Sequence, residues 1–291
     1  MTEAVTLSAG DATFGVRALG AEPVSWRVAG RELLWSGGEA WPRSSPVLFP
    51  IVGRAREGRI RVGDRTYPIG VHGFAAGETF SVAAQTDSRV TFVLCDGPST
   101  RSHYPFAFRL EVSYRLAASA VSIGLTVANT GDTPMPFAIG LHPGFRWPFA
   151  APGPEGHAVE FEHAEATSVP VIDGNGLFTN ALRPLAFDGR RLPLSGEVLA
   201  REALCFLDAN SRRLRFVSPS GAAIGVETED FPHIALWSRP PAPFLCVECW
   251  TGYGDPQDFT GELAQKPSMR ILAPGDTSSH AIRWRFEERA A

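Results

Sequence analysis

Phe108-Arg109-Leu110-Glu111-Val112-Ser113-Tyr114-Arg115 sets a large apolar side chain at every second position. A period of two puts Phe108, Leu110, Val112 and Tyr114 on one face of an extended chain, with Arg109, Glu111, Ser113 and Arg115 on the other. A helix would scatter both sets around its circumference, so the stretch reads as a half-buried strand. Working outward, Val121, Ile123, Leu125 and Val127 repeat the alternation. So do Ile224 with Val226, and Ile282, Trp284 and Phe286 near the carboxyl end. Ile60 and Val62, then Gly63-Asp64, then Tyr67 and Ile69 read as a hairpin around a tight turn. The 29 glycines and 24 prolines are spread over the whole chain and leave few windows for a helix of ordinary length. The predicted fold class is all-β: a large antiparallel β-sandwich with apolar inner faces and loops at its rims.

The 291 residues are 44% hydrophobic and 20% charged, an ordinary globular balance that argues against disorder. A net charge of −4 offers no basic surplus for nucleic acid, so no nucleic-acid partner is expected. Among 27 basic side chains, Lys266 is the only lysine. The amino terminus shows no basic region followed by an apolar run, and no stretch reaches the length of a spanning helix, so no membrane partner is expected. Cys95, Cys205, Cys246 and Cys249 are too few for a disulfide framework. Cys246-x-x-Cys249 has the spacing of half a zinc site, but no second half follows. Reduced core cysteines in a cytoplasmic protein are the simpler reading. Pro148–Gly156 and Arg239–Pro243 are irregular, yet neither is long or polar enough to be an interdomain linker, so residues 1–291 are expected to form one domain.

Three segments break the alternation with polar groups set among apolar residues and glycine. They are Phe49–Arg56 followed by Gly70–Ala75, then Gly140–Phe145, then Phe244–Gly252. On an extended Phe244–Gly252, Phe244, Cys246 and Glu248 share one face while Leu245, Val247 and Cys249 share the other. Both faces are apolar, so Glu248 is expected to be buried, with its pKa raised toward values useful for proton transfer. The competing reading is a structural salt bridge to an arginine. His142 precedes Pro143, which biases it toward an extended conformation. His72 precedes Gly73, which permits close approach of a ligand or a strand. Two imidazoles and a buried carboxylate suit acid–base chemistry on a neutral polar substrate. Trp237, Trp250 and Tyr253 lie near Glu248 in sequence and offer faces on which a sugar ring could stack; packing in the core explains them equally well.

Together these segments resemble the aldose 1-epimerase (galactose mutarotase-like) superfamily, particularly its shorter bacterial branch. The resemblance runs from Pro46-Val47-Leu48-Phe49-Pro50-Ile51-Val52-Gly53-Arg54 through His72-Gly73-Phe74 and Leu141-His142-Pro143-Gly144-Phe145. It continues in Phe231-Pro232-His233-Ile234-Ala235-Leu236-Trp237-Ser238 and ends in Glu248-Cys249-Trp250-Thr251-Gly252. It implies a β-supersandwich and the interconversion of α and β anomers of an aldose through the open-chain form. By resemblance, Glu248 matches the base that takes the C1 hydroxyl proton, and His142 the acid that protonates the ring oxygen. His72 and Arg54 match substrate-binding residues, and Trp237 is a further candidate for binding the sugar. The reaction implied needs no cofactor and no metal.

Two departures bear on the substrate. Relatives commonly read His-Gly-Phe-Ala-Arg where this chain has His72-Gly73-Phe74-Ala75-Ala76, and in relatives acting on hexose 6-phosphates that arginine region helps hold the phosphate. Its loss favours an unphosphorylated sugar, although Arg54 and Arg56 could still supply positive charge. Relatives also carry an aspartate near Arg201-Glu202-Ala203-Leu204, where Glu202 could replace it as a substrate contact. The expected function is therefore an aldose 1-epimerase on a free aldose. The alternatives are a non-catalytic carbohydrate-binding protein and a hexose-6-phosphate 1-epimerase. A metal-dependent cupin-like enzyme lacks support, since no His-x-His pair with a following glutamate occurs at ligand-like spacing. The identity of the aldose and the oligomeric state are not legible in the chain.

Overall fold

In the computed structural model, which describes residues 4–288, the alternating stretches are strands. Phe108–Ala117 and Ala120–Asn129 pair antiparallel with Leu110 opposite Val127 and Tyr114 opposite Ile123. Thr277–Glu287 lies on the other side of Ala120–Asn129 with Ile282 opposite Ile123. Every second side chain along Phe108–Leu116 is buried, as the period requires. These strands form the centre of a nine-stranded sheet running from Arg191–Pro193 at one edge to Ser81–Thr86 at the other. The Arg59–Val62 and Arg65–Pro68 hairpin turns at Gly63-Asp64, where Gly63 takes φ +56°. No described helix is long and apolar enough to cross a membrane.

A second sheet of six strands carries the site. Its main path runs Leu204–Phe206, His233–Trp237, Phe244–Trp250, Gly140–Leu141, Val47–Leu48, with Gly144–Arg146 also pairing Phe244–Trp250. A third sheet of four strands spans Ala4–Glu32. The three meet in one core at Trp284, whose ring lies 5.3 Å from Phe145 of the six-stranded sheet and 6.0 Å from Trp26 of the four-stranded one. Phe244–Trp250 is buried along its whole length, so both of its faces are covered, as the absence of polar alternation predicts.

Between Glu32 and Val47 the chain is irregular and is anchored by a buried carboxylate. Glu22 accepts the backbone N–H groups of Ser44 at 2.7 Å and Ser45 at 3.1 Å, and pairs with Arg17 at 2.6 Å. Trp35 Nε1 donates to the Trp41 carbonyl at 3.0 Å. This segment folds over the mouth of the six-stranded sheet and brings Trp41 and Arg43 to the cleft there.

Candidate active site

The ladder of the six-stranded sheet puts His142 and Glu248 opposite one another. Gly140 pairs with Trp250 and Leu141 with Cys249; Gly144 pairs with Cys246 and Phe145 with Leu245. Both pairings belong to one register, in which His142 stands directly across from Glu248. The strand is interrupted there because Pro143 has no N–H to give the ladder. Cross-strand neighbours share a face. His142 Nε2 lies 3.3 Å from Glu248 Oε1. Trp250, two residues on and on the same face, donates its indole N–H to Glu248 Oε2 at 3.0 Å. Glu248 is 1% exposed and His142 is 7% exposed.

Burial sets the electrostatics of the pair. It pushes the Glu248 carboxyl well above the ordinary carboxylate value, with the Trp250 hydrogen bond pulling the other way. It holds the His142 imidazole well below its ordinary value, and nearby His72 adds to that. Among the described residues no arginine pairs with Glu248, so the salt-bridge reading of this carboxylate is set aside.

His72 reaches the same cleft from a different wall. Its backbone takes φ +63°, a left-handed conformation uncommon outside glycine, and three hydrogen bonds hold it there. Its N–H donates to the Gly53 carbonyl at 2.8 Å, its carbonyl accepts from Phe49, and its Nδ1 accepts the Gly53 N–H at 3.1 Å. With Nδ1 accepting, the neutral ring carries its proton on Nε2 and is a donor. Burial, Arg54 and Lys266 lower its pKa to about 4, so the ring stays neutral through the physiological range. Its ring centre is 5.6 Å from that of His142.

Six of the residues singled out from the sequence line one cleft of about 690 Å³: Arg54, His72, His142, Glu202, Trp237 and Glu248. Trp237 sets its ring edge-on to His142 at 5.6 Å, and Glu202 stands exposed at the rim. Trp250 also lines the cleft, whereas Tyr253 packs instead on Phe178 and His233. Arg56 turns away and lines a separate hollow with Arg59 and Arg61, so it is no candidate for binding in the cleft.

Sequence reasoning missed Trp41, Arg43 and Arg239. Trp41 stacks on His142 with ring centres 5.0 Å apart and planes 29° apart. Arg43 donates to the Ala76 carbonyl at 2.9 Å, so a guanidinium stands beside the position where the family arginine is absent. None of the three sits in a periodic stretch, and no local signal marks them.

His233 mimics part of a hydrolase triad without its chemistry. Its Nε2 is 3.0 Å from Ser268 Oγ, but its Nδ1 accepts the Asp208 N–H at 3.0 Å. The proton therefore sits on Nε2, and the ring donates to the serine rather than taking its proton. Among the described residues, no cluster of three or more His, Cys, Asp or Glu has the geometry to hold a metal ion.

Comparison with known proteins agrees with this architecture. The family described as aldose 1-epimerase matches residues 3–285. Protein LacX of Lactococcus lactis subsp. lactis is 30% identical over 261 residues, which covers 86% of this chain and 87% of the relative. A galactose mutarotase related enzyme from Lactobacillus acidophilus superposes with a TM-score of 0.90 at 27% identity, over 98% of this chain and 97% of that one. A galactose mutarotase-like protein from Lactobacillus casei gives the same score and identity over 98% of this chain and 100% of that one.

Proposed function

The chain belongs to the aldose 1-epimerase family, and from that premise we propose that it interconverts the α and β anomers of a free aldose by opening and reclosing the ring. The observation that carries this reading is the 3.3 Å approach of Glu248 to His142 inside a polar-rimmed cleft. Ring opening needs one proton removed from the C1 hydroxyl and one supplied to the ring oxygen. Those two oxygens share a single carbon, so an acceptor and a donor in contact with each other match them. The pair's single proton, which the opposed shifts leave on Glu248 at rest, crosses the 3.3 Å contact to His142. Glu248 then takes the hydroxyl proton, the O1–C1 bond becomes a carbonyl, and the C1–O5 bond breaks as His142 protonates O5. After rotation about C1–C2 the same two protons return, and reclosure leaves the pair as it began. Each transfer contributes roughly 10²–10⁴-fold.

The surrounding residues divide the binding. His72, with Nε2–H as donor, serves the region of the ring oxygen and C1. Arg54 and Glu202 serve hydroxyls at the rim, and Trp237 supports the apolar face of the sugar. We read residues 1–291 as one domain. Its four free cysteines, three of them buried, fit a cytoplasmic setting.

Glu248→Gln separates this reading from a non-catalytic sugar-binding protein. The amide keeps the shape of the side chain and cannot accept a proton at neutral pH. The expected result is a fall in kcat of roughly 10²-fold or more with KM little changed, measured by optical rotation against a protein-free control at zero buffer. Near wild-type turnover in that variant would make Glu248 a structural carboxylate and leave sugar binding as the function.

A hexose-6-phosphate 1-epimerase is the second reading, and Arg43 at the Ala76 carbonyl favours it, since it restores positive charge where the family arginine is missing. Against it, Arg43 is already engaged by Ala76 and lies 3.6 Å from Glu22. Free glucose should therefore be turned over better than glucose 6-phosphate. A preference for the phosphate of roughly tenfold in kcat/KM, about 1.4 kcal/mol, would reverse the order.

A further inference from the structure

Lys266, the chain's only lysine, is 4% exposed and pairs with Asp255, also 4% exposed, at 3.0 Å. No step of the ring opening uses either group. A buried ion pair is weak evidence of a stabilising role, because desolvating two charges costs about what their attraction returns. The other bonds of Asp255 point elsewhere. Its Oδ2 accepts the Arg56 N–H at 2.8 Å, and its own N–H donates to the Arg54 carbonyl at 2.9 Å. The loop carrying Arg54 is thus clasped at the carbonyl just after the Arg54 side chain and again two residues on. Beneath the clasp the two loops touch backbone to backbone: a Cβ on Gly53, which has φ +75°, would lie 2.5 Å from Gly254 N. Gly53 is also the residue whose N–H fixes His72 Nδ1 and whose carbonyl takes the His72 N–H.

The contacts therefore run without a break from Lys266 through Asp255 and the Gly53–Arg56 loop to His72. They end in the cleft at His72, whose ring centre is 5.6 Å from that of His142. The need for charge follows from the geometry. Asp255 must accept at one oxygen from Arg56 and hold its other oxygen buried, and a buried carboxylate requires a counter-charge. We propose that the buried Lys266–Asp255 pair is a positioning device that holds Arg54 and His72 for the sugar, acting on substrate binding and not on proton transfer. Only the identity of the ligand rests on the epimerase reading; the clasp itself does not.

The test replaces both charges by apolar groups of similar size, Lys266→Met with Asp255→Leu. Such replacements of buried pairs are often neutral or stabilising, so the thermal midpoint should stay near that of the wild type. The expected result is a KM for galactose at least tenfold higher with kcat within threefold, the opposite split from Glu248→Gln. In ¹⁵N spectra the His72 ring should lose its single Nε2–H tautomer, and the Arg56 amide should exchange faster. An unchanged KM with an intact His72 tautomer would overturn the proposal, as would a fall in kcat at constant KM. Arg56→Pro covers the case in which the double variant does not fold. Arg56 opens a 3₁₀ turn after the extended Ala55, where proline is tolerated, and the change deletes only the N–H that Asp255 accepts, apart from the side chain. It should raise KM in the same way, while Arg56→Ala leaves KM unchanged; equal behaviour of the two would also overturn the proposal. If the wild type fails to speed mutarotation, the epimerase reading falls, but the tautomer and exchange measurements still decide this one.

Discussion

At the scale of single residues, Glu248 and His142 are displaced in opposite directions by the same cause. Burial disfavours charge on each, raising the carboxyl above its usual 4.5 and lowering the imidazole below its usual 6.5. Two such groups in contact titrate as a pair. The second proton binds only at low pH, because His142 resists charging; the last proton leaves only at high pH, because Glu248 does. The form with one proton, which the proposed ring opening requires, should therefore span a wide range. We expect kcat/KM to be flat through neutrality, with its acid limb below pH 6.5 and its alkaline limb well above 4.5, when followed between about pH 4 and 9. An acid limb at or above pH 6.5 would contradict the opposed shifts. Trp250→Phe removes the one hydrogen bond that lowers the Glu248 value, so it should move the alkaline limb further up.

At the scale of elements, register is what converts a sequence into a site. Glu248 and His142 lie far apart in the chain, and antiparallel pairing sets them across from one another with Pro143 opening the ladder beside them. The strands at Phe108–Ala117 and Ala120–Asn129 were legible because a period of two reports which face is covered, and the burial of Phe244–Trp250 because both of its faces are apolar. Trp41 and Arg43 were not, because they come from an irregular segment whose path is decided by the buried Glu22, a contact that no local pattern announces. The strained His72-Gly73 turn sits between these cases: the glycine was visible as permissive, but not the reason it is needed. Gly73 has φ +77°, and a Cβ there would lie 2.2 Å from the Phe49 carbonyl oxygen. Gly73→Ala should cost at least about 2 kcal/mol in urea unfolding, since a backbone clash adds to the left-handed strain. Gly63 is the control, with φ +56° and nothing within 4 Å of a Cβ. Gly63→Ala should cost only about 1 kcal/mol. Equal costs at the two positions would mean that the close approach of Gly73 to Phe49 does not matter.

At the scale of the whole molecule, the cleft depends on three sheets closing over one core, and Trp284 is where they meet. The ring is fully buried and touches Phe14 and Trp26 of the four-stranded sheet and Phe145 of the six-stranded one. Phe145 sits on the Gly144–Arg146 strand that pairs with the strand of Glu248, so the same packing that joins the sheets backs the site. The indole Nε1 of Trp284 has no acceptor among the described residues. Its contribution is therefore packing, without a hydrogen bond to lose. Trp284→Ala leaves a cavity at the junction and should destabilise the fold by about 3–5 kcal/mol. Trp284→Phe keeps much of the ring contact and removes a buried unpaired N–H, so it should cost less than half as much. Urea denaturation of the two variants measures the difference. The Glu248–His142 spacing is held by ladder hydrogen bonds and not by this ring, so kcat of either variant should stay within about threefold of wild type when assayed well below its unfolding midpoint. Equal destabilisation by alanine and phenylalanine would point to a polar role for the indole and place an acceptor for its N–H at the junction of the sheets.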